Sequence, residues 1–143
     1  FLSGLAYGYP MSLNLENMNE AAAVLLEYED FTTFSKLHSN NKTTICEVSE
    51  AYFERMHNYT IFTIKANRFL RNMVRSITGT LMRVGRGKIS TEEFIDILLS
   101  KDRSRASNSA PAEGLYLHDI EYPEYLGLKN HSAGDLIPFL QGI

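Results

Sequence analysis

Cysteine is almost missing from this chain: Cys46 is the only one among 143 residues. A lone thiol excludes an internal disulfide and a zinc site made of several cysteines, and it points to a reducing, cytoplasmic setting. Long apolar runs are missing too. None nears the ~20 residues that span a bilayer, so no membrane helix is expected. No charged-then-apolar leader opens the chain, which argues against a secretory signal. Phosphate-cradling loops of the G-x-x-x-x-G-K-S/T or G-x-G-x-x-G type do not occur. Gly85-Arg86-Gly87-Lys88 follows a helical pattern instead of preceding one and reads as a C-cap and a turn. The four histidines, His38, His57, His118 and His131, lack metal-ligand spacing. No serine or cysteine lies in a nucleophile motif. The five aspartates, Asp30, Asp96, Asp102, Asp119 and Asp135, show nothing distinctive around them. The residues alone therefore hold no self-contained catalytic set. The first residue is Phe1, not Met, which fits either a piece of a longer protein or a processed chain.

Acidic residues are absent from one long interval. Between His57 and Thr91 there is no Asp or Glu, yet seven cations occur, Lys65, Arg68, Arg71, Arg75, Arg83, Arg86 and Lys88, in a chain of formal net charge -3. The basic character is local, and it fits either a solvated helix face or a surface for a polyanion. Within it, Asn67 to Gly87, NRFLRNMVRSITGTLMRVGRG, reads as one long amphipathic helix. At ~100° per residue, Leu70, Met73, Val74, Ile77, Leu81 and Val84 share an apolar sector. Arg68, Arg71, Arg75 and Gly79 fall opposite. Asn67 is expected as the N-cap and Gly85 as the stop, with the guanidinium groups pointing away from a core.

The rest of the chain supplies that core; 44% of the residues are hydrophobic, and the length fits one domain, 1–143. Residues 1–16 read as an irregular lead-in. A helix then opens at Asn17, whose spacing to Glu20 resembles a capping box, and buries Ala21, Val24, Leu25 and Tyr28. Glu29 to Thr44 reads as a loop. Its Phe31 and Phe34 either simply pack or pin the loop beside a site. Glu47–Met56 and Tyr59–Ala66 read as an antiparallel pair turning at His57-Asn58. Ser90 and Glu93 form a Ser-x-x-Glu capping box for a short helix that buries Phe94, Ile97 and Leu98. Lys101 to Glu113 is a Ser- and Arg-rich loop. Gly114 opens a strand, Leu115–Tyr122, and the last twenty residues form a tail with an apolar patch at Leu136, Ile137, Phe139 and Leu140. The expected class is α+β, a mainly antiparallel sheet packed against helices, including the one long amphipathic helix.

Several segments together resemble one family. They are MNEAAAVLLEYEDFTTF (18–34), KANRFLRNMVRSITGTLMRVGRG (65–87), KDRSRAS (101–107), APAEGLYL (110–117) and YP (122–123). In this order and spacing, with F-L-x-x-M-V-R-x-x-x-G followed by A-P-A-x-G-L-x-L, the chain resembles the C-terminal half of the TruA-type tRNA pseudouridine synthases. The resemblance implies isomerisation of uridine to pseudouridine in the anticodon stem-loop of tRNA, with no cofactor and no metal. It implies a target base that leaves the stack, and a homodimer with RNA reaching across both subunits. The family's essential aspartate lies in an R-T-D-x-G-V-H motif that is absent here, so this half alone is expected to be inactive. By the same resemblance, Arg75 of the M-V-R triplet pairs with that aspartate, fixing it and keeping it ionised. Leu115 would form an apolar wall against the flipped uracil, and Gly114 would let backbone come close. Arg68, Arg71, Lys65, Arg83, Arg86 and Lys88 are expected, from charge alone, to contact RNA phosphates. The alternative is a non-catalytic RNA-binding or dimerisation module.

Overall fold

Alternating apolar residues build a hairpin from β1 (Val48–Met56) and β2 (Tyr59–Ala66), which turns at His57-Asn58 as the pattern predicts. Ala51 opposes Ile64 and Phe53 opposes Phe62, and directly opposed residues share a face. That face meets the core, where the Phe53 and Phe62 rings stack with centroids 4.4 Å apart. The weaker alternation of β1 has a local cause. The register shifts between Val48 and Glu50, and this bulge lets Val48 and Ala51, three apart, both be buried. The computed structural model describes residues 8, 9, 11–36, 39, 40, 42–117, 119, 120, 131 and 132. They form two units, Gly8–Pro111 and a second made of the described residues from Ala112 onward. The class is α+β, as expected.

In the larger unit α1 (Leu15–Val24) packs on β1, α2 (Met73–Gly85) and α3 (Thr91–Ser100). α1 starts earlier than the Asn17–Glu20 spacing predicts. Asn14 is the cap: its side chain accepts the Asn17 N–H at 3.1 Å, and its own N–H donates to Gly85 O at 2.8 Å. Ala21, Val24 and Leu25 are buried as expected, Met18 and Ala22 join them, and Tyr28, beyond the end of the helix, is only half-buried. One α1 side chain also completes the hairpin edge. Asn19 Oδ1 accepts the Phe53 N–H at 2.6 Å, while Asn19 Nδ2 donates to Phe53 O at 3.0 Å.

The long helix is shorter than its apolar period suggests. Asn67 is still bonded as an extension of the hairpin, donating to Glu47 O and accepting the Glu47 N–H on its side chain. The chain must then turn before it can coil. Asn72 makes that turn in the left-handed region, φ 67, which asparagine tolerates better than most residues. Helix geometry therefore begins at Met73 and not after Asn67. Leu70 keeps its place in the core from the turn, alongside Met73, Ile77, Leu81 and Val84 from the helix.

α3 carries the full capping box: Glu93 N–H donates to Ser90 Oγ, and Ser90 N–H donates to Glu93 Oε2. Phe94 stacks on Phe34 at 5.9 Å, and Phe31 and Phe34 are both fully buried. Packing thus accounts for the two phenylalanines of the 30–34 loop, which contains a 3-10 turn at Thr32–Phe34.

Asp30 fixes that turn. Its Oδ1 accepts from the Thr32 amide, the Thr32 hydroxyl and the Thr44 hydroxyl, and Lys101 Nζ lies 3.2 Å from Oδ2. Burial pushes the carboxyl up, but these donors outweigh it and hold Asp30 at about 2, below its ordinary 3.8. A depressed pKa stabilises the fold above the unfolded value and loses that contribution as pH falls through the folded one. The melting-temperature gap between the wild type and Asp30→Asn should therefore be constant above about pH 4 and close between about pH 4 and pH 2.

The smaller unit begins with a 3-10 turn at Ala112–Gly114 and includes the antiparallel pair β3 (Asp119–Ile120) and β4 (His131–Ser132). Leu115–Leu117 have no regular structure, so the predicted strand Leu115–Tyr122 is reduced, among the described residues, to β3. The apolar patch expected at Leu136, Ile137, Phe139 and Leu140 lies outside the described residues.

Candidate functional site

α2 is covered on a second side. The segment Ser107–Ala110 lies along it as a strap. Ser107 N–H donates to Thr80 Oγ1 at 3.1 Å, Asn72 Nδ2 donates to Ser109 Oγ at 2.6 Å, and Ala110 N–H donates to Arg75 O at 2.9 Å. The approach is close enough that a Cβ at Gly79 would collide with the Asn108 carbonyl oxygen. Only glycine leaves room there. Arg103, from the 3-10 turn Arg103–Arg105, also binds the strap, through Ser107 O and Ser109 Oγ, both at 3.4 Å.

Arg75 is the charged member of this face. It is half-buried, and its Nε donates to Ala110 O at 2.7 Å. Side chain and backbone thus grip the same strap residue, which orients the guanidinium plane. With Nε engaged, the edge formed by Nη1 and Nη2 remains, and that edge matches a carboxylate bidentately. Among the described residues no carboxylate forms an ion pair with Arg75. Gly79 does share the Arg75 side of the helix, as expected, but the strap covers that side.

The arginine stripe expected along the helix does not exist. Arg68 and Arg71 precede α2, because the turn at Asn72 separates them from it. Arg68 Nη1 donates to Thr43 O at 3.1 Å, tying down the segment that leads into β1. Arg71 is exposed, and its carbonyl accepts the Lys36 N–H at 3.1 Å. Lys65 is exposed on β2. Arg83 is half-buried in the last turn of α2, with Arg86 and Lys88 exposed just beyond. Cations there offset the negative helix terminus whatever else they contact.

Gly114 ends the 3-10 turn of the smaller unit, and Leu115 follows it with 46% of its surface exposed, so neither lies on a strand. Asp30 is committed to Thr32, Thr44 and Lys101, and Cys46 is fully buried, its thiol pushed up by burial against the opposing pull of Arg68. Among the described residues no set of His, Cys, Asp or Glu side chains is placed to hold a metal ion, and no helix is long and apolar enough to cross a membrane.

Sequence reasoning missed Asn72, Thr80 and Ser109 as parts of the site. Their one signal was position: Asn72 and Thr80 flank the M-V-R-x-x-x-G block, and Ser109 precedes A-P-A.

The profile of the tRNA pseudouridine synthases matches residues 21–123, which include α2, the strap and Arg75, and the chain belongs to that family. The tRNA pseudouridine synthase A of Bacteroides thetaiotaomicron is 53% identical over 116 residues, covering 79% of this chain and 43% of that protein. The protein of the same name from Porphyromonas gingivalis is 51% identical over 130 residues, covering 90% of this chain and 52% of its own length. That of Vibrio cholerae is 39% identical over 134 residues, or 94% and 50%. The chain spans about half the length of the curated relatives it matches.

Proposed function

We propose that this chain is the C-terminal, active-site-completing part of a two-domain tRNA pseudouridine synthase. The enzyme isomerises uridine to pseudouridine in the anticodon stem-loop, without cofactor or metal, as a cytoplasmic homodimer. The observation that carries the reading is Arg75: half-buried, anchored through Nε to Ala110 O, with its outer edge unpaired by any carboxylate among the described residues. The partner half supplies the aspartate. Paired with Arg75, that carboxylate stays ionised and fixed in orientation, ready to act as nucleophile or base while the glycosidic C–N bond breaks and a C–C bond replaces it. Leu115 walls the flipped base, and Gly114 lets backbone approach it closely. The exposed side chain of Leu115 leaves apolar surface available for a uracil face.

Phosphate contacts fall to Lys65, Arg71, Arg83, Arg86 and Lys88. Arg68 keeps only part of its donor capacity for RNA, because Nη1 already serves Thr43 O. Replacing Arg86 and Lys88 together by glutamate in the full-length protein should weaken tRNA binding. It should also flatten the plot of log affinity against log salt by about one unit per lost contact. An unchanged slope assigns these two cations to the α2 terminus alone.

The enzymatic reading is tested by incubating full-length protein with anticodon stem-loop RNA in chelator and scoring pseudouridine. Conversion is expected. RNA that is bound but unmodified would leave the non-catalytic module.

A further inference from the structure

We propose that the Ser109 hydroxyl is a positioning residue for the Arg75 guanidinium, a role that rests on Arg75 serving as a carboxylate partner. Ser109 immediately precedes Ala110, whose carbonyl takes the Arg75 Nε proton at 2.7 Å. Its Oγ accepts from Asn72 Nδ2 at 2.6 Å and from Arg103 Nη2 at 3.4 Å. One donor sits at the start of α2 and the other in the turn after α3, so a single oxygen ties the strap to two separately anchored elements. The Asn72 donor is itself fixed. Its left-handed backbone, φ 67, opens α2, and its carbonyl accepts the Ser76 N–H at 3.0 Å.

Removing the hydroxyl frees the strap at the residue next to the Arg75 acceptor. The Ala110 carbonyl would then be steadied mainly by the neighbouring Ala110 N–H bond to Arg75 O. A guanidinium with one edge fixed is a directional donor whose outer edge meets a carboxylate in plane. With that edge loose it acts more as a point charge. Ser109 touches neither substrate nor reacting atoms in this scheme; it acts through Ala110 and Arg75.

The test is single-turnover pseudouridine formation by the full-length protein at saturating tRNA, with tRNA affinity measured alongside. Ser109→Ala should slow the reaction about tenfold through misplacement of the arginine. Affinity should hold within about twofold, because the bond removed is not a binding contact. Ser109→Thr keeps the acceptor oxygen and should restore most of the rate. The deciding comparison is made in an Arg75→Lys background. Lysine has no Nε–H for Ala110, so Ser109→Ala should cause no further loss there. An equal loss in both backgrounds, or an unchanged rate in Ser109→Ala alone, overturns the positioning role and leaves the Arg75 reading standing. A normal rate in Arg75→Lys alone removes the Arg75 reading and the positioning role together.

Discussion

Arg75→Ala in the full-length protein should lower the rate of pseudouridine formation by about two to three orders of magnitude, the usual result of deleting a preorganised charged donor. tRNA affinity should change little. The split follows from where the guanidinium is held. Its Nε is spent on Ala110 O, and on the proposed reading its outer edge is taken by the carboxylate rather than by a phosphate. A carboxylate deprived of this partner in a closed pocket loses its orientation, and its pKa rises toward the neutral form. The loss should therefore be largest at low pH and partly recovered as pH increases. Arg75→Lys should recover little, because an ammonium offers neither the Nε–H that the strap accepts nor a second parallel donor. The opposite split, weaker binding with normal turnover, belongs to a phosphate contact.

Gly79→Ala should be the most damaging small substitution on α2. Alanine is favoured over glycine in a helix by about 1 kcal/mol, and that gain alone would stabilise the fold. Here the added methyl meets the Asn108 carbonyl oxygen, a backbone atom in a segment bonded to α2 on both sides of the contact. The strap must lift. Overpacking and lost strap hydrogen bonds together amount to about 3 kcal/mol, so a net loss of about 2 kcal/mol is expected. Arg75 loses its acceptor at the same time, so activity should fall more than stability does. Gly85→Ala is the matched control. Its methyl would meet the buried Met18 and the Leu13 side chains and no strap backbone, so its cost is core overpacking without strap displacement. Thermal melts and turnover of the two variants side by side separate strap displacement from a general penalty on α2.

Much of the fold was legible because local rules and packing agreed. The Ser90–Glu93 box, the His57-Asn58 turn and the buried period of Met73, Ile77, Leu81 and Val84 all have short-range causes that sequence displays. The start of α2 was not legible. An apolar period continues through a turn as easily as through a helix, so Leu70 occupies its expected core place while Arg68 and Arg71 leave the helix. Asn14 displaced Asn17 as the α1 cap because both residue types can cap, and the choice was made by the bond from Asn14 to Gly85, which lies 71 positions away. The site divides the same way. The M-V-R resemblance singled out Arg75 as the proposed carboxylate partner. Its anchor at Ala110, 35 residues on, is a tertiary contact that no spacing rule encodes. Gly79 was placed on the correct side of the helix, but its reason for being glycine lies in the strap.

The most direct test is a crystal structure of the full-length protein that shows what faces the outer edge of Arg75. A carboxylate from outside this chain within about 3 Å of Nη1 or Nη2, with Nε still on Ala110 O, is the predicted result. An Arg75 whose outer edge meets only solvent, or only an RNA phosphate, contradicts the account.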